Sequence, residues 1–208
     1  MSDPLLVVTA TAGVDAKFLT RLAIELRDYE FCEYTETNDD RYVVALSPSD
    51  AKKSIRLQPP ILDWKDQDNH FAGKTLQEIE TFATEYQNEE DTEVDYYNFF
   101  VIDDRAVQDG TCVLLSRRMD EEGQWREFQK MRLPRGSADT TWANLNIANM
   151  DFEDFCAEPE DGPADPDNEL NQPYWCSFSD PGVREAAIEK NNVMKSKALK
   201  ALGELGHV

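Results

Sequence analysis

The chain predicts an α/β fold: a central mixed sheet with flanking helices, an antiparallel hairpin at one edge and an appended C-terminal helix. Two observations carry this. Short, continuously apolar runs at residues 5–8 and 99–102 read as strands covered on both faces. Between them lie segments whose apolar residues recur at helical spacing behind capping residues.

Taken in order, residues 5–8 lead into Thr9-Ala10-Thr11-Ala12 as a buried strand. Gly13 turns the chain, and Asp15 can cap a helix whose stripe is Phe18, Leu19, Leu22, Ala23 and Leu26. Residues 28–40 are acidic and loop-like. Residues 42–46 read as a strand ended by Ser47-Pro48, and Pro59-Pro60 precedes a short strand at 61–64 with an acidic exit at Asp63. Thr75-Leu76-Gln77-Glu78 is a capping box, in which hydroxyl and carboxylate satisfy each other's backbone amides. The helix behind it buries Leu76, Ile79, Phe82, Ala83 and Tyr86. An acidic run at 89–95 separates it from a strand at 97–102 that ends in Asp103-Asp104. Residues 112–116 and 125–131 flank Asp120-Glu121-Glu122-Gly123 as an edge hairpin. The alternation of Trp125 and Phe128 is imperfect, as at a bulge. Asp151 can cap a short helix carrying Phe152 and Phe155. Four prolines and six acids mark residues 157–173 as a linker or loop. Asp180-Pro181 then opens a helix to about Leu205, with a broken stripe of Val183, Ala187, Met194, Ala198, Ala201, Leu202 and Leu205. The organisation read from this is an α/β domain over 1–157, an acidic proline-rich loop or linker over 158–173, and a helical extension over 174–208 that packs on the domain.

Composition narrows the function classes. Acids number 42 against 21 bases, a net charge of −21. From Pro181 onward there are five bases and three acids, so residues 1–180 carry 16 bases and 39 acids. Such a body repels phosphate backbones, which argues against a nucleic-acid partner. It attracts a basic protein partner, a cationic small molecule or a divalent metal; the same charge also serves solubility. No apolar run approaches the roughly 18 residues of a membrane helix, and the first residues lack a signal peptide's basic start. Cys32, Cys112, Cys156 and Cys176 are far apart without metal-ligand rhythm, and His70 and His207 are the only histidines. Four reduced thiols, no metal site and a cytoplasmic location are expected.

Residues 144–155, Asn-Leu-Asn-Ile-Ala-Asn-Met-Asp-Phe-Glu-Asp-Phe, resemble the hallmark of an uncharacterised domain family of actinobacteria and filamentous fungi. Asp63, Phe71, Gly73, Thr75 and Leu76, the strand at 99–103 and the hairpin after it are similar to that family's pattern. The likeness spans residues 60–157 well and 4–28 weakly; residues 30–58 and those after about 158 look like additions. It implies an α/β fold and no activity.

No GxSxG, P-loop or GxGxxG is present. Candidate chemistry therefore comes from position: open α/β sheets bind ligands beyond the carboxyl ends of their strands. That rule gathers Asp63, Asp103 and Asp104 as candidate catalytic carboxylates, able to act as acid and base or to hold a metal through oxygen. Thr9, Thr11, Trp64 and Arg105 stand beside them as candidate ligand-binding residues. Asn144 and Asn146 are further candidates through their amides. Each has a plainer role open to it, since aspartate caps helices and asparagine closes turns. His70 reads as a solvated loop residue and the cysteines as buried hydrophobes. No cofactor is indicated. Two readings result: a non-catalytic acidic binding or regulatory module, and an enzyme of small-molecule metabolism with an aspartate-lined pocket.

Overall fold

In the computed structural model, which describes residues 5–27, 42–48, 54–62, 64, 69–87, 94–155 and 181–208, the strands are β1 (Leu5–Thr9), β2 (Tyr42–Ala45), β3 (Ser54–Arg56), β4 (Asp95–Ile102), β5 (Thr111–Ser116) and β6 (Gln129–Pro134). They form one mixed sheet in the order β3-β2-β1-β4-β5-β6. β1 sits between β2 and β4 and runs parallel to both, while β3, β5 and β6 add antiparallel edges. The chain thus leaves β1 toward one side and later enters β4 on the other. That reversal is the topological switch point of a doubly wound sheet.

The helices are α1 (Ala16–Leu26), α2 (Leu76–Tyr86), α3 (Asp104–Asp109), α4 (Ala138–Asn146) and α5 (Pro181–Glu204). Strand alternation sends Leu5 and Val7 to one face, where they join Leu19, Leu22 and Leu26 of α1 with Trp142 and Leu145 of α4. Leu6 and Val8 point to the other face, against Ile79, Phe82 and Ala83 of α2 and the ring of Phe71. Because both faces are covered, β1 can be apolar at every position, and all five of its residues are buried.

Local signals formed as expected at both principal helices. Asp15 accepts the Phe18 amide at 2.7 Å and caps α1. Thr75 and Glu78 complete the capping box of α2. At the C-terminus, α5 lays Ala198 and Leu202 on Ile24 of α1. Lys195 reaches in beside them and donates to the Glu25 carbonyl at 2.7 Å, satisfying one of the carbonyls that the last turn of α1 leaves open. Leu205 stays 69% exposed, so the apolar stripe ends one turn before the sequence pattern does.

Four expectations are corrected. Residues 61, 62 and 64 form no strand; the Ile61 amide donates to Thr20 Oγ1 of α1 at 2.9 Å, and the edge strand beside β2 is β3 instead. Asp95 is not in the acidic loop but opens β4, 7% exposed. The second hairpin strand begins at Gln129, because Trp125 joins only an isolated bridge to Met119. Asp151 does not cap the turn at Phe152–Phe155; its own amide donates to Asp154 at 2.8 Å, and its carboxylate faces Arg118. Helix α4 carried no recognised start signal: Ser137 precedes it but makes no side-chain cap. The loop expected at 28–40 and the linker at 158–173 lie outside the described residues.

Candidate functional site

The switch point brings several predicted residues to one edge. Thr9 pairs with Ile102 across β1 and β4, and the Ala10 amide continues the ladder to the Ile102 carbonyl at 2.8 Å. Thr11, 4% exposed, donates its hydroxyl to Asp104. Trp64 reaches the same turn, its indole N–H donating to the Val14 carbonyl at 2.5 Å. Buried Asn69 ties the turn down by donating to the carbonyls of Thr9 and Thr11 at 3.0 and 3.2 Å.

The aspartates there have structural partners. Asp103 accepts the Ala106 amide at 2.8 Å and so caps α3, whose far end is closed by Gly110 at φ +76. The same carboxylate takes a two-pronged contact from Arg132 of β6. Asp104 is exposed and held by Thr11. Arg105 turns along α3 to pair with Asp109 at 3.0 Å, so the edge does not share its charge. Asp63 lies outside the described residues. Thr9 differs from its neighbours: it is fully buried and its hydroxyl has no hydrogen-bond partner. The α1 N-terminus, where a dinucleotide-binding sheet would seat a phosphate, is occupied by Asp15.

Asn144 and Asn146 stand away from this edge. Asn144 donates to the Thr140 carbonyl at 2.8 Å and accepts from Asn149 at 2.7 Å, closing a turn in which Ala148 adopts φ +52. Asn146 is exposed. Their helix meets the opposite end of the sheet, where Trp142 donates to Asp95 at the start of β4. Burial pushes the Asp95 carboxyl up, against the opposing pull of the Tyr97 and Asn98 amides and of Trp142. Cys112 is fully buried, which pushes its thiol up to about 12, beyond the range in which a thiolate can act. Cys32, Cys156 and Cys176 lie outside the described residues.

One concave feature lies away from the switch point, and no candidate site residue named from the sequence lines it. A groove of about 650 Å³ runs between α2 and the β5–β6 connection, lined by Leu76, Thr84, Arg117, Trp125, Arg126 and Phe128 among others. Trp125 stacks on Tyr97 with centroids 4.4 Å apart and planes 15° apart. The Arg117 guanidinium lies 5.5 Å from the centre of Trp125 and 5.3 Å from that of Phe128, and donates to Thr84 at 2.9 Å. Lys130 and Glu80 pair across the groove. The only local signal was Trp125-Arg126-Glu127-Phe128, which reads equally well as a strand.

Among the described residues, no group of three His, Cys, Asp or Glu side chains is placed to hold a metal ion, and no helix is long and apolar enough to cross a membrane. No curated protein and no solved structure matches the chain. Residues 65–164, which contain α2, the groove and the asparagine-rich turn, match a family model described as domain of unknown function (DUF6924), so this segment is similar to a family without an assigned activity.

Proposed function

We propose that the chain is a non-catalytic binding or regulatory module that engages a basic protein partner through its acidic surface, in the cytoplasm. The observation that carries this reading is how the edge carboxylates are used. Asp103 is shared between the Ala106 amide of α3 and Arg132, and Asp104 is bonded to Thr11. Both carboxylates are thereby used to hold the loops of the switch point in place. The acids nevertheless dominate the surface: Glu121, Glu122, Glu127, Glu153 and Asp154 are exposed around the hairpin and the asparagine-rich turn, in a chain of net charge −21. We take residues 144–155 as the family's hallmark, acting as a structural clamp: Asn144 and Asn149 close the turn, and Phe152 and Phe155 anchor it in the core. A cationic small molecule would be drawn to the same surface.

Calorimetric titration with a lysine-rich peptide tests the reading. Affinity should fall steeply as salt rises from about 0.1 M to about 1 M, because screening then acts within about 3 Å. Binding unaffected by salt, or no binding at low salt, would overturn it. One observation favours an enzyme of small-molecule metabolism instead. The partnerless hydroxyl of Thr9 lies where sheets of this kind bind ligands. Loss of turnover of a candidate substrate in Asp63→Asn, Asp103→Asn or Asp104→Asn would replace the binding reading with that one.

A further inference from the structure

We infer that the groove between α2 and the β5–β6 connection is a binding site for a small aromatic carboxylate, with Arg117 receiving the carboxylate. The site lies beside the acidic surface above and shares Glu127 with it. Its charge is unlike that of the body: Arg117, Arg126 and Lys130 balance Glu80, Glu85 and Glu127 in the lining, whereas the chain has two acids for every base. A locally neutral groove is where an anion can approach a protein that otherwise repels it.

Within that lining, Lys130 is neutralised by Glu80 at 2.5 Å. Among the described residues, no carboxylate pairs with Arg117 or Arg126. An arginine that meets no described acid is conspicuous in a chain with two acids for every base, and Arg117 is held as if for a ligand. Trp125 and Phe128 flank its guanidinium, and Thr84 takes one Nη1–H. Its Nε is buried without a hydrogen-bond partner. A guanidinium fixed in its plane loses little freedom when it binds a carboxylate through two parallel N–H groups. Leu76, Trp125 and Phe128 line the groove and supply its apolar side chains. The groove is open to solvent on one side and has a volume of about 650 Å³, inside the roughly 300 to 1,000 Å³ of small-molecule sites.

The full chain should be titrated with 2-naphthoate by calorimetry and by tryptophan fluorescence, with 2-naphthamide as the neutral isostere. Saturable binding of the acid in the millimolar range or tighter is expected, at least about tenfold tighter than the amide. Arg117→Lys should weaken the acid by a similar factor, and Trp125→Phe should remove most of the fluorescence change. Arg118→Lys, whose parent residue is committed to Asp151 and the Met150 carbonyl, should leave affinity unchanged. Equal binding of acid and amide by the wild-type chain would overturn the proposal without recourse to any variant. So would tighter binding of a peptide ending in phenylalanine, which carries the same two groups on a different source. Neither outcome bears on the salt-dependent binding of a lysine-rich peptide, so the two readings fail separately.

Discussion

At the scale of single residues, Asp95 shows how position changes a side chain's chemistry. As one acid of a run it would be solvated; as the first residue of β4 it is buried and satisfies two backbone amides and an indole. Desolvation disfavours its charged form, so its folded pKa lies above the unfolded value, near about 3.9. The protonated form therefore favours folding. That contribution is complete below the unfolded pKa and is lost as pH rises through the folded one. Wild-type stability measured by urea unfolding should consequently gain on Asp95→Asn as pH falls from neutral toward that window; a difference constant with pH would refute this. Cys112 makes a second case. With its thiol pushed up to about 12, the Cys112 peptide should remain unalkylated by iodoacetamide in native protein at pH 8, and become labelled once denaturant is added.

At the scale of elements, the contrast is between helices that carry their own instructions and those placed by others. Helix α2 is specified locally, so Thr75→Ala should cost about 0.5–2 kcal/mol by removing its cap, readable as a lower urea midpoint. Helix α5 depends on α1. Ala198 is fully buried at that contact, so a carboxylate placed there would be desolvated against apolar neighbours. Ala198→Asp should release α5, seen as loss of hydrogen-exchange protection in its last three turns while β1 and β4 stay protected. Arg135 joins more elements still, bonding Glu25 of α1, the Ala106 carbonyl of α3 and the Thr111 carbonyl of β5. It lies just before a helix that sequence patterning did not reveal. Such convergence depends on contacts more than 20 residues apart, which no local pattern encodes.

At the scale of the whole molecule, the charge of −21 sets a self-repulsion that folding must overcome. Melting temperature should rise with moderate sodium chloride, since screening relieves repulsion among exposed acids more than it weakens buried pairs such as Arg135–Glu25. A melting temperature that falls with salt would show that ion pairs outweigh the repulsion. The switch point and the groove lie in different parts of the molecule. Residues from β1, the β1–α1 turn and α3 do converge at the switch point, because parallel strands end together there. Asn144 and Asn146 belong to the opposite end, and the groove is built from α2 and a connection that begins 31 residues after α2 ends.

By itself, the sequence determined the α/β class, the strands β1, β2, β4 and β5, the caps of α1 and α2, and the acid excess. These follow from periodicity, capping chemistry and composition, which act over a few residues or over the sum of them all. The tertiary structure alone decided that Arg132 would claim Asp103, that Asp95 would be buried, and that Trp125 would leave the ladder to stack on Tyr97 beside the Arg117 guanidinium. Those outcomes depend on which distant side chains meet once the strands are ordered, and strand order is set by packing over the whole sheet.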